Sequence, residues 1–247
     1  MKIHSSAIIS AKAIIGDNVT IGPFTIIYDN VEIGDNVIIE SFCEIGVTNH
    51  LSEGRTLIIG KKSHIRSHSI FYEGSSFGEG LVTGHRVTVR EKTTAGLNLQ
   101  IGTLSDLQGD CEIGDYVRLH SSVHIGKKTV IKNFVWIYPY VVLTNDPHPP
   151  SNLLKGVVVE DYAVIATMTV ILPGVNIATR CLIGAHSLIN KDTESGMLYS
   201  GSPAKKICPA RMLKLQDGSK FPAYPWTNHF KRDYPDSVVA KWEEGGG

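Results

Sequence analysis

The sequence predicts an all-β fold, a parallel solenoid built from six-residue units. Three observations predict it: an aliphatic residue at every sixth position, a column of small residues two places earlier, and polar or glycine corners between them. The aliphatic column runs Ile3, Ile9, Ile15, Ile21, Ile27, Ile33, Ile39, Ile45, resumes at Ile59, continues to Leu143, and returns from Val159 to Ile189. Of its 29 positions, 25 are Ile, Leu or Val, and 25 of the 29 positions two residues earlier are small or Val. Neither an amphipathic helix nor a simple alternating strand has this period; a hexapeptide β-solenoid does.

Each hexad explains one side of a triangular coil. In Ile15-Gly16-Asp17-Asn18-Val19-Thr20, Val19 and the following Ile21 are two apart, so on an extended strand both face inward. Asp17-Asn18, Asp35-Asn36 and Gly96-Leu97-Asn98 supply residues that tolerate the left-handed backbone of a sharp corner. Three hexads close one coil, side chains eighteen residues apart stack, and coils rise about 4.8 Å each, giving about ten coils and a prism roughly 45 Å tall. A lone coil leaves its inner face wet; stacking buries it.

The rhythm breaks over 46–58 and 144–158, which read as surface loops. If each replaces a single corner, both leave the same edge of the prism, five coils apart. The second loop carries Pro147, Pro149 and Pro150, which stiffen it. Residues 1–200 thus form the solenoid. Residues 201–247 form a tail in which Phe221, Tyr224, Trp226, Phe230 and Tyr234 alternate with prolines. The tail is expected to pack on its own or a neighbouring solenoid, covering the last coil, with a lid over the substrate cleft as the alternative. A short helix is expected near Val238, and residues 245–247, all glycine, read as a loose end.

Bulk properties exclude several functions. The chain has 24 Lys plus Arg against 24 Asp plus Glu, a formal net charge of zero, and no basic run. Nucleic acid and anionic membranes are therefore poor partners, and no apolar stretch is long enough for membrane insertion. Cys43, Cys111 and Cys181 fall in the small column and read as core filler, so a reduced, cytoplasmic setting is expected.

Among ten histidines, His120 and His124 both point outward near the strand that launches the second loop. With Asn145, Asp146 and His148 they are expected to converge within ~10 Å, two strand spacings. Such a group suits acid–base chemistry, because the charge of an imidazole changes near neutral pH.

Several stretches resemble the hexapeptide-repeat acyltransferases. Residues 14–24, Ile14-Ile15-Gly16-Asp17-Asn18-Val19-Thr20-Ile21-Gly22-Pro23-Phe24, look like the first coils of the enzymes that acylate UDP-N-acetylglucosamine. Residues 164–192 and Gly201-Ser202-Pro203-Ala204-Lys205 are similar to the closing coils of acetyl-CoA-dependent members. The coil 119–126 with Leu143-Thr144-Asn145-Asp146-Pro147 most resembles the sugar-nucleotide N-acetyltransferases.

That resemblance implies a left-handed coil and a homotrimer with acetyl-CoA in the clefts between prisms. It also implies N-acetylation of an amino sugar on a nucleotide sugar, as in surface-polysaccharide synthesis. Ala166, Thr167, Gly184 and Ala185 are the expected path of the pantetheine arm, with Lys191, Lys205 and Lys206 on its phosphates. His148, Tyr138 and His85 are expected substrate contacts. Where the galactoside and xenobiotic branches carry a catalytic His before Pro, this chain has Asp146. The base is thus expected to be His120 or His124, with Asn145 orienting the sugar and Asp146 accepting from the amine or a hydroxyl. No metal is expected.

Two enzyme alternatives remain open. One is an O-acyltransferase on a sugar or on UDP-N-acetylglucosamine. The other is a zinc protein like the γ-carbonic anhydrases, using His85, His120 and His124, although three residues rather than four separate the last two. A non-catalytic scaffold would leave the loop and imidazoles without a purpose.

Overall fold

The structure, a computed structural model, describes residues 1–244; the expected loose end at 245–247 lies outside the described residues. Three sheets of 12, 10 and 9 strands, parallel except for the final strand of the first, form the faces of a left-handed prism. Most strands are two residues long, an outward residue followed by an inward one. Register follows the eighteen-residue coil: Lys2 pairs with Thr20 and Asp106 with His124.

The inward column is the core. Ile21 through Ile45, Ile59, Ile65 and Ile101 through Ile189 have 5 % or less of their surface exposed. Each buried Ile or Leu contributes roughly 1.5–3 kcal/mol. Phe71 and Phe77 meet edge to face, centroids 5.4 Å apart, as the aromatic pair inside this core. The small column has a second reason to be small and hydroxylic. Ser63, Ser69, Thr93, Thr129 and Ser187 each donate to the carbonyl three residues back, satisfying corner carbonyls inside the prism. Cys43, Cys111 and Cys181 occupy the same column, free and buried. Burial pushes their thiols up to about 11, 12 and 11 respectively, which leaves little thiolate to react.

Corners depart from the expectation that Asn and Gly mark them. At most corners the third residue after the inward one has positive φ, and it is Asn at 18, 36 and 98 but also Phe24, Phe42, Tyr116, Phe134 and Tyr140. Left-handed backbone costs a bulky residue ~1–2 kcal/mol. Stacking of successive corners offsets it: Phe24–Phe42 and Phe42–His68 centroids lie 5.1 and 5.0 Å apart, and Tyr116–Phe134 and Phe134–Tyr162 lie 5.2 and 4.9 Å apart.

Each insertion replaces one corner. Ile33 pairs with Ile59, a separation of 26 (59 − 33), eight more than one coil. Ile131 pairs with Val159, a separation of 28 (159 − 131), ten more than one coil. Both loops leave strands of the ten-stranded second face, five coils apart in its order. The first sheet runs on into a hairpin: Met197–Gly201 lies parallel to Leu182–Ile183 and antiparallel to Ala204–Pro209. The tail therefore does not begin cleanly at 201.

The tail covers a flank rather than the last coil. Trp226, Phe230, Tyr234 and Trp242, the last from the helix Asp236–Glu244, pack on Tyr116, Phe134, Trp136, Tyr162, Val164 and Leu182. Outward aromatics on the first face and its neighbouring corner supply the apolar surface on which the tail is buried. Among the described residues no helix is long and apolar enough to cross a membrane.

Candidate active site

The second face carries both loops and a continuous polar strip. Its outward column reads Thr88, Asp106, His124, Val142 on successive coils. His124 therefore stands directly over Asp106, and its Nδ1 lies 3.2 Å from Asp106 Oδ2. Gln108 Nε2 donates to the same oxygen. The imidazole holds the Asp106 carboxyl below the ordinary aspartate range, against the opposing effect of burial and with help from Gln108. Both side chains keep solvent access, 41 % for His124 and 36 % for Asp106. An imidazole oriented by a carboxylate at one nitrogen and open at the other is a general-base arrangement.

The adjoining corner stacks Glu73, Glu91, Gly109, Lys127 and Asn145 at intervals of eighteen. Glu91 is 2 % exposed. It accepts from Asn49 Nδ2 at 2.9 Å and Arg90 Nε at 3.2 Å, and Lys127 Nζ approaches it at 3.4 Å. Lys127 reaches across Gly109, where a side chain would crowd the Glu91 carbonyl, 2.5 Å from a Cβ. Glu73 accepts from Thr48 at 2.7 Å, Ser52 at 2.7 Å and Asn30 at 3.0 Å. Burial alone would raise both carboxyls, but these hydrogen bonds together hold Glu73 and Glu91 low. Two buried carboxylates thus fasten the loop after Val47 to the prism.

The second loop is fastened differently. The Asn145 side chain lies over Gly126, its Cβ and Cγ each 3.2 Å from where a Gly126 Cβ would stand, and Lys155 N donates to the Asn145 carbonyl at 2.8 Å. Asp146 accepts from Ser151 Oγ at 2.7 Å, Ser151 N at 3.0 Å and His148 N at 3.0 Å. Ser151 chiefly holds its carboxyl low. The Asp146 carboxylate is spent on closing the loop, in which His148 is exposed.

His120 parts company with this group. It follows the inward Leu119 of the first face, one corner before His124, and its ring stacks on Tyr138 at 4.5 Å. It lines a cavity of about 470 Å³ roofed by the tail and a second of about 310 Å³ beside it, neither of which includes His124 or any residue of 144–158. The expected convergence of both imidazoles with the loop is not what the structure places together: one corner turns them onto different faces. Burial, with Arg118 nearby, pushes the His120 imidazole toward its neutral form. His85 Nδ1 lies 2.9 Å from Ser67 Oγ, two coils below Ser121 in the same corner column. Among the described residues no three His, Cys, Asp or Glu are grouped to hold a metal ion.

Of the residues expected to hold the donor, Ala166, Thr167, Gly184 and Ala185 follow strands of the first face, Lys205 and Lys206 lie in its closing hairpin, and Lys191 follows the last strand of the second face. Ala166 N donates to Ile183 O and Gly184 N to Tyr199 O, so Ala166 and Gly184 stack one coil apart, with Thr167 and Ala185 beside them at the corner. Gly184 has a packing role of its own, since a Cβ there would stand 2.7 Å from Ser200 Oγ. Lys206 is paired with Glu194 at 2.8 Å; Lys191 and Lys205 make no ion pair among the described residues. Sequence reasoning overlooked Asp106, Gln108, Glu73, Glu91 and Lys127, although Asp106 sits eighteen residues before His124 and the coil length alone aligns them.

Comparison with known proteins supports the fold. The family profile described as bacterial transferase hexapeptide (six repeats) matches residues 2–46. An acyl-[acyl-carrier-protein]–UDP-N-acetylglucosamine O-acyltransferase of Pseudomonas savastanoi pv. phaseolicola is 27 % identical over 150 residues, covering 56 % of this chain and 52 % of that protein. Serine acetyltransferase 2 of Arabidopsis thaliana is 30 % identical over 148 residues, covering 57 % and 42 %. The chain spans about half the length of the curated relatives it matches. Among solved structures, the Arabidopsis UDP-N-acetylglucosamine acyltransferase aligns with a TM-score of 0.66 at 18 % identity, over 84 % of this chain and 74 % of that one. The Campylobacter jejuni enzyme of that name aligns at 0.52 and 23 % identity, over 98 % and 82 %. With the repeat continuing in register from that matched stretch to Ile189, the chain is a hexapeptide-repeat β-helix protein, sharing its fold with acyltransferases.

Proposed function

We propose that the second face transfers an acyl group from a thioester donor to a hydroxyl of a sugar nucleotide. The observation that carries this reading is the Asp106–His124 pair. An amine attacks a thioester once it is neutral and oriented, whereas a hydroxyl must lose its proton as it attacks. A carboxylate-oriented imidazole answers the second need. The curated O-acyltransferase relatives support the same choice over the amino-sugar N-acetylation that the loop motif suggested.

In this reading His124 Nδ1–H points at Asp106, leaving Nε2 to take the hydroxyl proton while the oxygen adds to the thioester carbonyl. The carbon–sulfur bond then breaks, and the imidazolium returns the proton to the departing thiolate. Asp106 fixes the tautomer and stabilises the transient cation. Asn145, over Gly126, donates to the oxyanion or a sugar hydroxyl, and Lys127 offers positive charge to the diphosphate. Asp146 and His148 shape the loop. A donor thioester, acetyl-CoA or a carrier-bound acyl group, runs along Ala166, Thr167, Gly184 and Ala185 toward Lys191, Lys205 and Lys206. A homotrimer would bring a neighbouring flank against this face, and the four free cysteines suit a reducing, cytoplasmic setting.

Thiol release from acetyl-CoA and from acyl-carrier protein, with UDP-N-acetylglucosamine or a UDP-amino sugar as acceptor, tests the proposal. Release that needs the hydroxyl acceptor and vanishes in His124→Ala supports it. Release with the amino sugar alone restores N-acylation, and silence with every pair overturns acyl transfer.

A further inference from the structure

The tail-roofed cavity takes no part in that reaction. Its volume of about 470 Å³ is that of a small-molecule pocket. Trp136, Tyr138 and Val164 line it from the solenoid, and Tyr224, Trp226 and Phe230 from the tail. The neighbouring cavity of about 310 Å³ shares Arg118, His120 and Trp136 with it and adds polar groups, among them Gln100, Thr103 and Ser121.

Arg118 is the residue both cavities turn on. Its side chain is only 13 % exposed, yet the carboxylate facing it, Asp233 Oδ2, stands 3.8 Å away on a side chain 61 % exposed. The other oxygens facing it, Gln100 Oε1 at 3.4 Å and the Tyr234 hydroxyl, are neutral. A guanidinium this desolvated usually has a carboxylate within hydrogen-bonding distance. The rings of Trp136 and Tyr234, 4.7 and 5.1 Å from its central carbon, give partial compensation. They accept no N–H in the way an anion does. A second donor is also unmet: Trp226, 7 % exposed, has its indole N–H buried with no acceptor among the described residues. Arg232 also lines the chamber, its guanidinium over Phe230 at 5.0 Å.

We propose that the two cavities form one binding site for a flat aromatic or heteroaromatic ring that carries an anionic group, the ring among the aromatic side chains and the anion on Arg118. A mononucleotide and a small aromatic carboxylate share that chemistry. The site stands whether or not the second face transfers acyl groups, because its residues and its test are separate from His124.

The chain reports on the site through its own fluorescence. It has three tryptophans; two line the cavity, and Trp242 packs on Trp226 with centroids 5.4 Å apart. Full-length protein is titrated with uridine 5′-monophosphate and with 4-hydroxybenzoate, and separately with uridine and with inorganic phosphate. The expected result is saturable quenching by the monophosphate or the benzoate with Kd at or below about 1 mM, and binding at least about tenfold weaker for the bare ring or bare anion. Response to the monophosphate alone assigns a nucleotide; response to the benzoate alone assigns an aromatic acid. Arg118→Gln should weaken binding about tenfold. Since Arg118 also supports Tyr234, Ala223→Phe, which fills the chamber from its wall, should abolish binding independently. Absence of saturable quenching by both compounds, or quenching undiminished in Ala223→Phe, overturns the proposal.

Discussion

Asp106 and His124 are one coil apart, and the stacking that aligns every inward Ile also sets the carboxylate 3.2 Å from the imidazole. The pair needs no loop to assemble it. Its catalytic weight follows: His124→Ala should lower turnover by about 10²–10⁴-fold, the usual contribution of a general base. Asp106→Asn, which removes the orienting charge, should cut kcat and leave KM for the acceptor nearly unchanged. Steady-state kinetics on both variants check this, and loss confined to KM would assign the pair to substrate binding instead.

Acid should free the loop after Val47 before it unfolds the prism. Glu73 and Glu91 are held below the free glutamate value of ~4.3. A carboxyl depressed in the folded state lends stability that is present above its unfolded value and is lost as pH falls through the folded one. Protection of residues 48–56 against hydrogen exchange, taken relative to the intrinsic rate at each pH, should therefore be high at pH 6 and fall below about pH 4. In Glu73→Gln that protection should already be low at pH 6. Protection that falls in step with that of the core strands would contradict this anchoring.

Gly156→Ala should be among the most damaging small substitutions. A Cβ at this position would run into the carbonyl of Lys128, backbone that rotamer changes cannot move. A loss of ~3 kcal/mol or more is expected, with the melting temperature down by several degrees. Gly54, around which nothing stands within 4 Å, is the control for space.

Trp226→Ala should release the tail and leave the solenoid intact. Trp226 meets Trp136, Tyr234 and Trp242 at 5.9, 5.7 and 5.4 Å, and truncating a buried Trp costs ~3–5 kcal/mol. Limited proteolysis should then cut beyond Pro209 while the prism keeps its far-ultraviolet dichroism. Equal resistance in the variant would mean the hairpin and helix hold the tail without this side chain.

The solenoid was legible because its core repeats with a fixed period, so each Ile independently reports the same geometry. The common edge of the two insertions follows from the count once each is known to replace a single corner, which the pairings Ile33–Ile59 and Ile131–Val159 supply. The tail's position was not legible. Trp136 and Phe134 read as ordinary outward residues of their hexads, and only their juxtaposition with Trp226 and Tyr234 shows that they are a docking surface. The outward place of His124 is legible, whereas its partner Asp106 stands one coil beneath as an ordinary outward residue that only stacking at eighteen residues brings to the imidazole. The pairing of His120 with His124 failed for a related reason: nearness in sequence across a corner is separation in direction.

The left-handed corners have an engineering consequence. Where the corner residue belongs to an aromatic ladder, its side chain repays the unfavourable backbone; where it does not, the cost stands uncompensated. Tyr140, 56 % exposed at φ 62°, Leu104, 57 % exposed at φ 62°, and Lys128 at φ 64° have no ring stacked on them among the described residues. Asparagine at such positions keeps the bend at lower torsional cost. The fold therefore holds a reserve of thermostability at its vertices that can be drawn on without altering its interior or its chemistry.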